Sequence, residues 1–286
     1  MSNFMLSHPF YFSAETISLI RKYVGATFVI KYGGSAMKDD LVQRNVIEDI
    51  ALLSSLGIRI VLVHGGGYLI DSWLERLNLI PRFENGVRVT DAQTVEVVEM
   101  VLSGQVNKKI VSLFNSTNIP AIGLSGKDTN LIVASPISKD SENFTGTVNK
   151  VNIRILNTLL SNGFLPVVSS VASNSLGCTY NINADTIASS IAVSLHAEKF
   201  ILLSDIPGVL TDRNNPETLI KDLNVAKVED LKSKGFIKDG MIPKVDSCLN
   251  VVKNNVKAAH IVDGRLRYSL LHELFTYRRV GSRIVL

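Results

Sequence analysis

An alternation constrains this chain more than any other feature. Short runs rich in Val, Ile and Leu alternate with longer segments whose apolar residues recur every three to four positions. The runs are ATFVIKY, IRIVLVHGGG, IPAIGLSG, FLPVVSSV and KFILLSD, apolar at successive positions rather than at every second one. A strand that is apolar on both faces must be covered on both faces. The pattern therefore predicts an α/β fold, with an open, mostly parallel central sheet sandwiched between helix layers. The helical segments are VIEDIALLSSLG, YLIDSWLERLN, TVEVVEMVLSGQVNKKIVSLFN, VNIRILNTLLSNG and TIASSIAVSLHA. Polar strand–turn–strand pieces interrupt the pattern around PRFENGVRVT and CTYNINAD. Ahead of the first strand, SAETISLIRKYVG predicts an extra helix over 13–24, with Ser13 as cap and Gly25 as stop. Its apolar face is read as Ile17, Ile20 and Val24, and the aromatic-rich HPFYF precedes it.

With 286 residues, 46% of them hydrophobic, the chain can bury a full core as one large domain or two lobes. No apolar run approaches the roughly 18 residues of a membrane span, so no membrane partner is expected. The net charge is +4, with Lys and Arg scattered and few aromatics among them. That distribution argues against nucleic acid, whereas a few placed cations suffice for a small anion. Cys178 and Cys248 match no metal spacing and are expected as free thiols. The N-terminus lacks a signal-peptide core and an Arg-rich transit pattern, so the protein is expected to work where it is made.

The candidate chemistry sits where strands end. Lys31 closes an apolar run and is followed by Gly33 and Gly34, which let backbone N–H groups approach an oxyanion. Ligands of open α/β sheets bind beyond the carboxyl ends of such strands. The plainer alternative is a tight turn beside a solvated lysine. The second strand ends in His64-Gly65-Gly66-Gly67 before a helix, an anion site by geometry because free N–H groups and the helix dipole point together. It is not a dinucleotide fingerprint, since Ile70 stands where the third glycine belongs, and GLSGKD at 123–128 is too short for a P-loop. Asn85-Gly86 signals a hairpin that presents Arg88, either to a carboxylate or simply to solvent. In NINAD, a strand would turn Asn181, Asn183 and Asp185 to one face, although Asp185 could equally cap the next helix. In DGMIPKV, Pro243 suits a first helical turn and places Lys244 there against the dipole, as a bound anion would favour, unless the side chain simply curls into solvent.

Taken in this order, KYGGSAM (31–37), VHGGG (63–67), NGVRVT (85–90), PVVSSV (166–171), NINADT (181–186), LLSDIPGVL (202–210), DGMIPKV (239–245) and LLHELFT (270–276) closely resemble the amino-acid kinase family. The pairing of NGVRVT with NINAD points within it to the branch that phosphorylates N-acetyl-L-glutamate. The resemblance spans nearly the whole chain. It implies Lys31 and Lys244 as cations that stabilise the transition state, and Asp185 as the group that holds both. It implies phosphate-cradling amides at Gly33 and Gly34, and acetylglutamate contacts at Gly66, Gly67, Arg88 and Asn181. Ser204, Asp205 and Gly208, with Phe236, Ile237 and Lys238, would flank ATP. Mg²⁺ is implied as the companion of ATP, with no protein side chain expected as its ligand. The implied organisation is an oligomerisation helix at 1–25, an acetylglutamate-binding and dimerising lobe at 26–178, and an ATP-binding lobe at 179–286.

The chemistry agrees. The acceptor would be a γ-carboxylate with an ordinary pKa of about 4.3, ionised at neutral pH, so no general base is needed and none is evident. What remains is positioning and charge neutralisation, the general demand of phosphoryl transfer. Resemblance to the arginine-sensitive branch further implies a hexamer of three dimers joined by the extra helix. It also implies arginine as feedback inhibitor near Glu273 and Gly281, and a PII-type signalling partner in a cyanobacterial or plastid source. Tyr268 departs from the histidine frequent in that branch, and Tyr32 varies in the family. The richness in Asn, Ile and Lys points to an AT-rich genome, hence a plastid stroma or a bacterial cytoplasm. Two readings stay beside this one: a kinase of the same fold for aspartate or glutamate, and a non-catalytic amino-acid sensor.

Overall fold

In a computed structural model, residues 10–84, 87–277 and 279–286 are described. The chain runs through α1 (Ala14–Tyr23), β1 (Thr27–Tyr32), α2 (Asp40–Ser55), β2 (Arg59–His64) and α3 (Gly67–Arg76). A ribbon of β3 (Arg82–Glu84) and β4 (Val87–Val89) follows. Then come α4 (Ala92–Glu99), a π-helix (Met100–Val106) and α5 (Asn107–Ser116), joined without a break, and β5 (Ala121–Leu124). Next are β6 (Ile132–Pro136), β7 (Thr145–Val151), α6 (Arg154–Ser161), β8 (Leu165–Ser169), β9 (Val171–Ser173), β10 (Thr179–Ile182) and α7 (Ala184–Ser194). The last part holds β11 (Lys199–Ser204), β12 (Asp222–Asn224), α8 (Val225–Ser233), α9 (Met241–Lys253), β13 (Ala258–Asp263), α10 (Ser269–Phe275) and β14 (Ser282–Val285).

Eight strands form the main sheet in the order β12-β14-β13-β11-β1-β2-β8-β5. Among the described residues, the β13–β14 pair of this sheet alone is antiparallel. The expected mostly parallel sheet is therefore present, and its central strands are buried on both faces. One apolar core lies between the sheet and α1, α2, α3, α5 and α10. The other lies between the sheet and α6, α7, α8 and α9. A side chain as fully buried as Phe28 or Phe200 contributes about 1.5–3 kcal/mol of transfer free energy. Parallel pairing places the carboxyl ends of β1, β2 and β11 at one edge of the sheet, because β1 runs between the other two in the same direction.

Four corrections to the sequence expectations follow from packing. β10, β7, β6 and β9 close into a small barrel that the sequence did not announce, since its strands are short and partly polar. The long helical segment read over 94–115 is not uniform but carries the π-helix at its centre. The buried face of α1 is Thr16, Ile20 and Tyr23, whereas Ile17 and Val24 are 43% and 58% exposed. Finally, Asn181, Asn183 and Asp185 do not share a strand face, because β10 stops at Ile182. The ribbon carrying Arg88 forms as expected, while its Asn85-Gly86 turn lies outside the described residues.

Candidate active site

Asn183 makes the first decision at the site. It takes the N-cap of α7, its side chain accepting from the Asp185 N–H at 2.8 Å, so Asp185 enters the first turn with a free carboxylate. That carboxylate is 4% exposed and lies between two ammonium groups. Lys31 Nζ, from the end of β1, stands 2.8 Å from Oδ1, and Lys244 Nζ, from the first turn of α9, stands 3.3 Å from Oδ2. The Lys31 approach is close in distance and oblique in angle, an ion pair more than a hydrogen bond. Burial pushes the Asp185 carboxyl up, but the two ammonium groups outweigh it and hold it below the usual carboxylate range. Two cations on one carboxylate leave an excess positive charge in a poorly solvated crevice, which a bound anion would relieve.

Glycines open the way to that charge. A Cβ at Gly33 would stand 2.9 Å from Lys31 Nζ and block it. Gly34 adopts φ +76°, a conformation side chains disfavour, and faces the Asp205 carboxylate across the crevice. Gly66 has no room for a Cβ either, because Leu102 and Val106 of the π-helix lie 2.8 and 3.0 Å from where it would be.

Arg88 is 8% exposed, not a surface arginine. Its guanidinium lies 4.6 Å over the Phe83 ring, Nη2 donates to Asp71 at 2.6 Å, and Nη1 is buried without a hydrogen-bond partner among the described residues. Where a Cβ on Gly67 would stand, Nη2 is 3.9 Å away, which places the guanidinium beside the glycine turn. Sequence reasoning missed Asp71, although it sits four residues after Gly67 on one helix face. Asn181 donates to Thr90 at 3.1 Å, and Thr145 donates to the Arg88 carbonyl at 2.9 Å. Those bonds tie the ribbon to the barrel.

A separate cavity of about 480 Å³ lies over the C-terminal strand ends. It is lined by Asp205, Gly208, Phe236, Ile237 and Lys238, together with Lys244, so it opens onto the charged cluster. Arg213 and Arg265, which the sequence did not single out, also line it. Ser204 is buried beneath and donates to Asp205 at 3.3 Å. Gly208 is left-handed at φ +146° and abuts Ser282 too closely for any side chain.

The remaining pair, Glu273 and Gly281, meets elsewhere. Glu273 Oε2 accepts from the Gly281 and Val280 N–H groups at 2.8 and 3.1 Å, and Oε1 bonds His260 Nδ1 at 2.8 Å. The carboxylate is thus buried and fully engaged, not held out for a guanidinium. A cavity of about 350 Å³ between α1 and α10 is lined instead by Phe10, Tyr11, Glu15, Thr16, His272 and Tyr277, among others.

A glycine-lined crevice beside a lysine–aspartate–lysine cluster thus lies at the carboxyl ends of the parallel strands, an arrangement suited to holding an anion. The chain belongs to the amino acid kinase family, whose model matches residues 26–263. More narrowly, it is 51% identical over 274 residues to an acetylglutamate kinase from Gracilaria tenuistipitata var. liui, covering 96% of each chain. An acetylglutamate kinase from Nostoc sp. is 50% identical over 272 residues, covering 95% of this chain and 92% of that one. Among solved structures, N-acetylglutamate synthase from Neisseria gonorrhoeae, complexed with coenzyme A and N-acetyl-glutamate, superposes with a TM-score of 0.84 at 27% identity. That match covers 95% of this chain and 62% of the synthase. The same synthase complexed with coenzyme A and L-arginine gives a TM-score of 0.80 at 26% identity, covering 95% of this chain and 64% of that one.

Proposed function

We propose that this chain transfers the γ-phosphoryl group of ATP to the γ-carboxylate of N-acetyl-L-glutamate, forming N-acetyl-L-glutamyl 5-phosphate in arginine biosynthesis. The observation that carries this reading is Asp185 holding Lys31 and Lys244 at the mouth of the 480 Å³ cavity. In the proposed reaction ATP occupies that cavity, with Lys238, Arg213 and Arg265 near its phosphates. Lys31 and Lys244 neutralise charge on the oxygens of the phosphoryl group in flight, and the amides of Gly34, Gly66 and Gly67 add fixed donors. Asp185 keeps the two ammonium groups in place and contributes no proton transfer. Gly33 clears the approach of Lys31. Asn181 and Arg88 hold the acceptor. Because Nη2 is committed to Asp71, Arg88 offers Nη1 as its unpartnered donor rather than an unoccupied fork.

Mg²⁺ fits this site as a companion of ATP. Asp185 is occupied by two cations, and Asp205 is the carboxylate among the residues lining the nucleotide cavity. The ion would therefore be held chiefly through phosphate oxygens, as this hard cation commonly is, and would supply further charge neutralisation.

The same reading assigns residues 26–178 to acetylglutamate binding and dimerisation, residues 179–286 to ATP, and residues 1–25 to assembly of three dimers into a hexamer. Arginine would act as feedback inhibitor in the cavity between α1 and α10, with Glu15 at its rim and Glu273 anchoring the 280–281 backbone behind it. A PII-type protein would modulate that inhibition, in a plastid stroma or a bacterial cytoplasm. The test of the activity is ADP release with acetylglutamate against free glutamate and aspartate. Turnover with acetylglutamate is expected to exceed both by far. Preference for a free amino acid would assign the chain to another kinase of the family, and no turnover with any acceptor would leave the sensor reading.

A further inference from the structure

We propose that His64 is a positioning residue, locked by Asn107, that fixes the Gly65–Gly66 peptide and thereby aims the Gly66 N–H at the transferred phosphoryl group. The inference rests on the kinase reading above and deepens it. His64 ends β2 and is fully buried. Its Nδ1 lies 2.9 Å from the Gly65 carbonyl oxygen, which can only accept, so Nδ1 carries the proton. Burial drives the ring pKa down to about 4, against the pull of the Gly65 carbonyl, so the imidazole is neutral and Nε2 is an acceptor. The donor it meets is Asn107 Nδ2, 3.1 Å away.

Asn107 cannot reverse its amide. Nδ2 also lies 2.9 Å from the Val167 carbonyl and 3.3 Å from that of Leu124, so an oxygen there would face two carbonyl oxygens. Its own Oδ1 is buried with no partner among the described residues, against Gly123, where any Cβ would overlap it. A buried acceptor left unpaired is costly, and here the amide orientation leaves no alternative. The π-helix delivers this arrangement. Each added residue turns a helix by about 100°, so the wide turn resets the face on which α5 begins. Leu102 and Val106 press on Gly66, Ser103 pairs with Ser169 at 2.9 Å, and Asn107 reaches His64. The Gly65 carbonyl and the Gly66 N–H belong to one rigid, planar peptide and point in opposite directions. Holding the carbonyl on the imidazole therefore sets the direction of the N–H.

The test exploits the two ring nitrogens separately. An asparagine side chain places its NH₂ near Nδ1, whereas a glutamine reaches the Nε2 position. His64→Asn keeps the Gly65 bond and leaves Asn107 two carbonyls for its two protons. His64→Gln keeps Asn107 satisfied and loses Gly65. His64→Gln is expected to lower kcat on the order of 10²-fold, the effect of losing one aimed donor. His64→Asn should stay within a few-fold of wild type, with the KM for acetylglutamate and ATP little changed in both. A role in core packing alone would lower the melting temperature of both variants and affect their kcat alike, and that result would overturn the proposal. In solid-state ¹⁵N spectra of histidine-labelled wild-type enzyme, the His64 signals, identified as those lost in His64→Asn and so separated from the Nδ1–H signal expected of His260 on Glu273, should show a neutral Nδ1–H tautomer at pH 6; an Nε2–H tautomer at His64 would also overturn it. Failure of the wild type to phosphorylate acetylglutamate would instead count against the functional reading, since the tautomer is measured without turnover.

Discussion

Asp185 shows how one residue can be committed without being a base. A buried carboxylate is tolerated because two ammonium groups compensate it, and in doing so it sets their separation across the crevice. Removing either lysine takes away a charge that is positioned before the reaction begins. Lys31→Ala and Lys244→Ala are each expected to lower kcat on the order of 10²-fold or more, measured at saturating ATP and acetylglutamate. Near-normal turnover in one variant would take that lysine out of the mechanism. The sequence marked both lysines and the aspartate, because each stands at a strand end or in a first helical turn. It could not show that Asn183 would claim the cap, since Asp and Asn are about equally good caps and only the end of β10 at Ile182 decides between them.

At the scale of elements, α2 and α10 are joined by a group that titrates. Asp49 of α2 is 5% exposed and accepts from the Leu270 N–H in the first turn of α10, whose own cap position, Tyr268, supplies no side-chain bond. Burial raises the Asp49 pKa from 3.8 to about 8, only partly opposed by the Leu270 bond. The folded protein then binds a proton that the unfolded chain has released, so stability falls as pH rises from about 4 to 8. The buried histidines His64 and His260, pushed down to about 4, act in the opposite sense, but below about pH 6.5. Lys199, pushed down to about 8 by burial, acts only above that pH. Between pH 6.5 and 8 Asp49 therefore dominates among these groups. Thermal melts should show stability declining across that window in wild type and a flatter profile in Asp49→Asn, which keeps an acceptor for Leu270. Parallel profiles would mean that Asp49 does not carry the slope.

Over the whole molecule, α1 stands apart from the proposed chemistry, all of which begins at Lys31. Ile20 and Tyr23 anchor it, the Tyr23 ring lying 5.4 Å from that of Phe28, while Ile17, Val24, Tyr11 and Phe12 remain on its exposed side. That exposed apolar surface supports the proposed assembly role, though without Ile20, which the sequence pattern had placed on the same face and which packs into the chain's own core. Deleting residues 1–24 is expected to leave an active dimer with little response to millimolar-scale arginine, checked by light scattering and initial rates. A truncated protein that stays hexameric, or keeps its arginine response, would overturn the role given to α1. The sequence by itself determined the covered parallel sheet, because strands apolar on both faces have few ways to be buried. It also located most of the candidate site, because glycines and cations at strand ends have little use in a core. Tertiary structure alone decided the small barrel, the face of α1 and the partners of Arg88. It likewise decided the engaged state of Glu273 and the bond from Asn107 to His64, 43 positions apart in the chain. Each of these depends on which distant groups meet when the two cores close, and local propensity carries no record of such meetings.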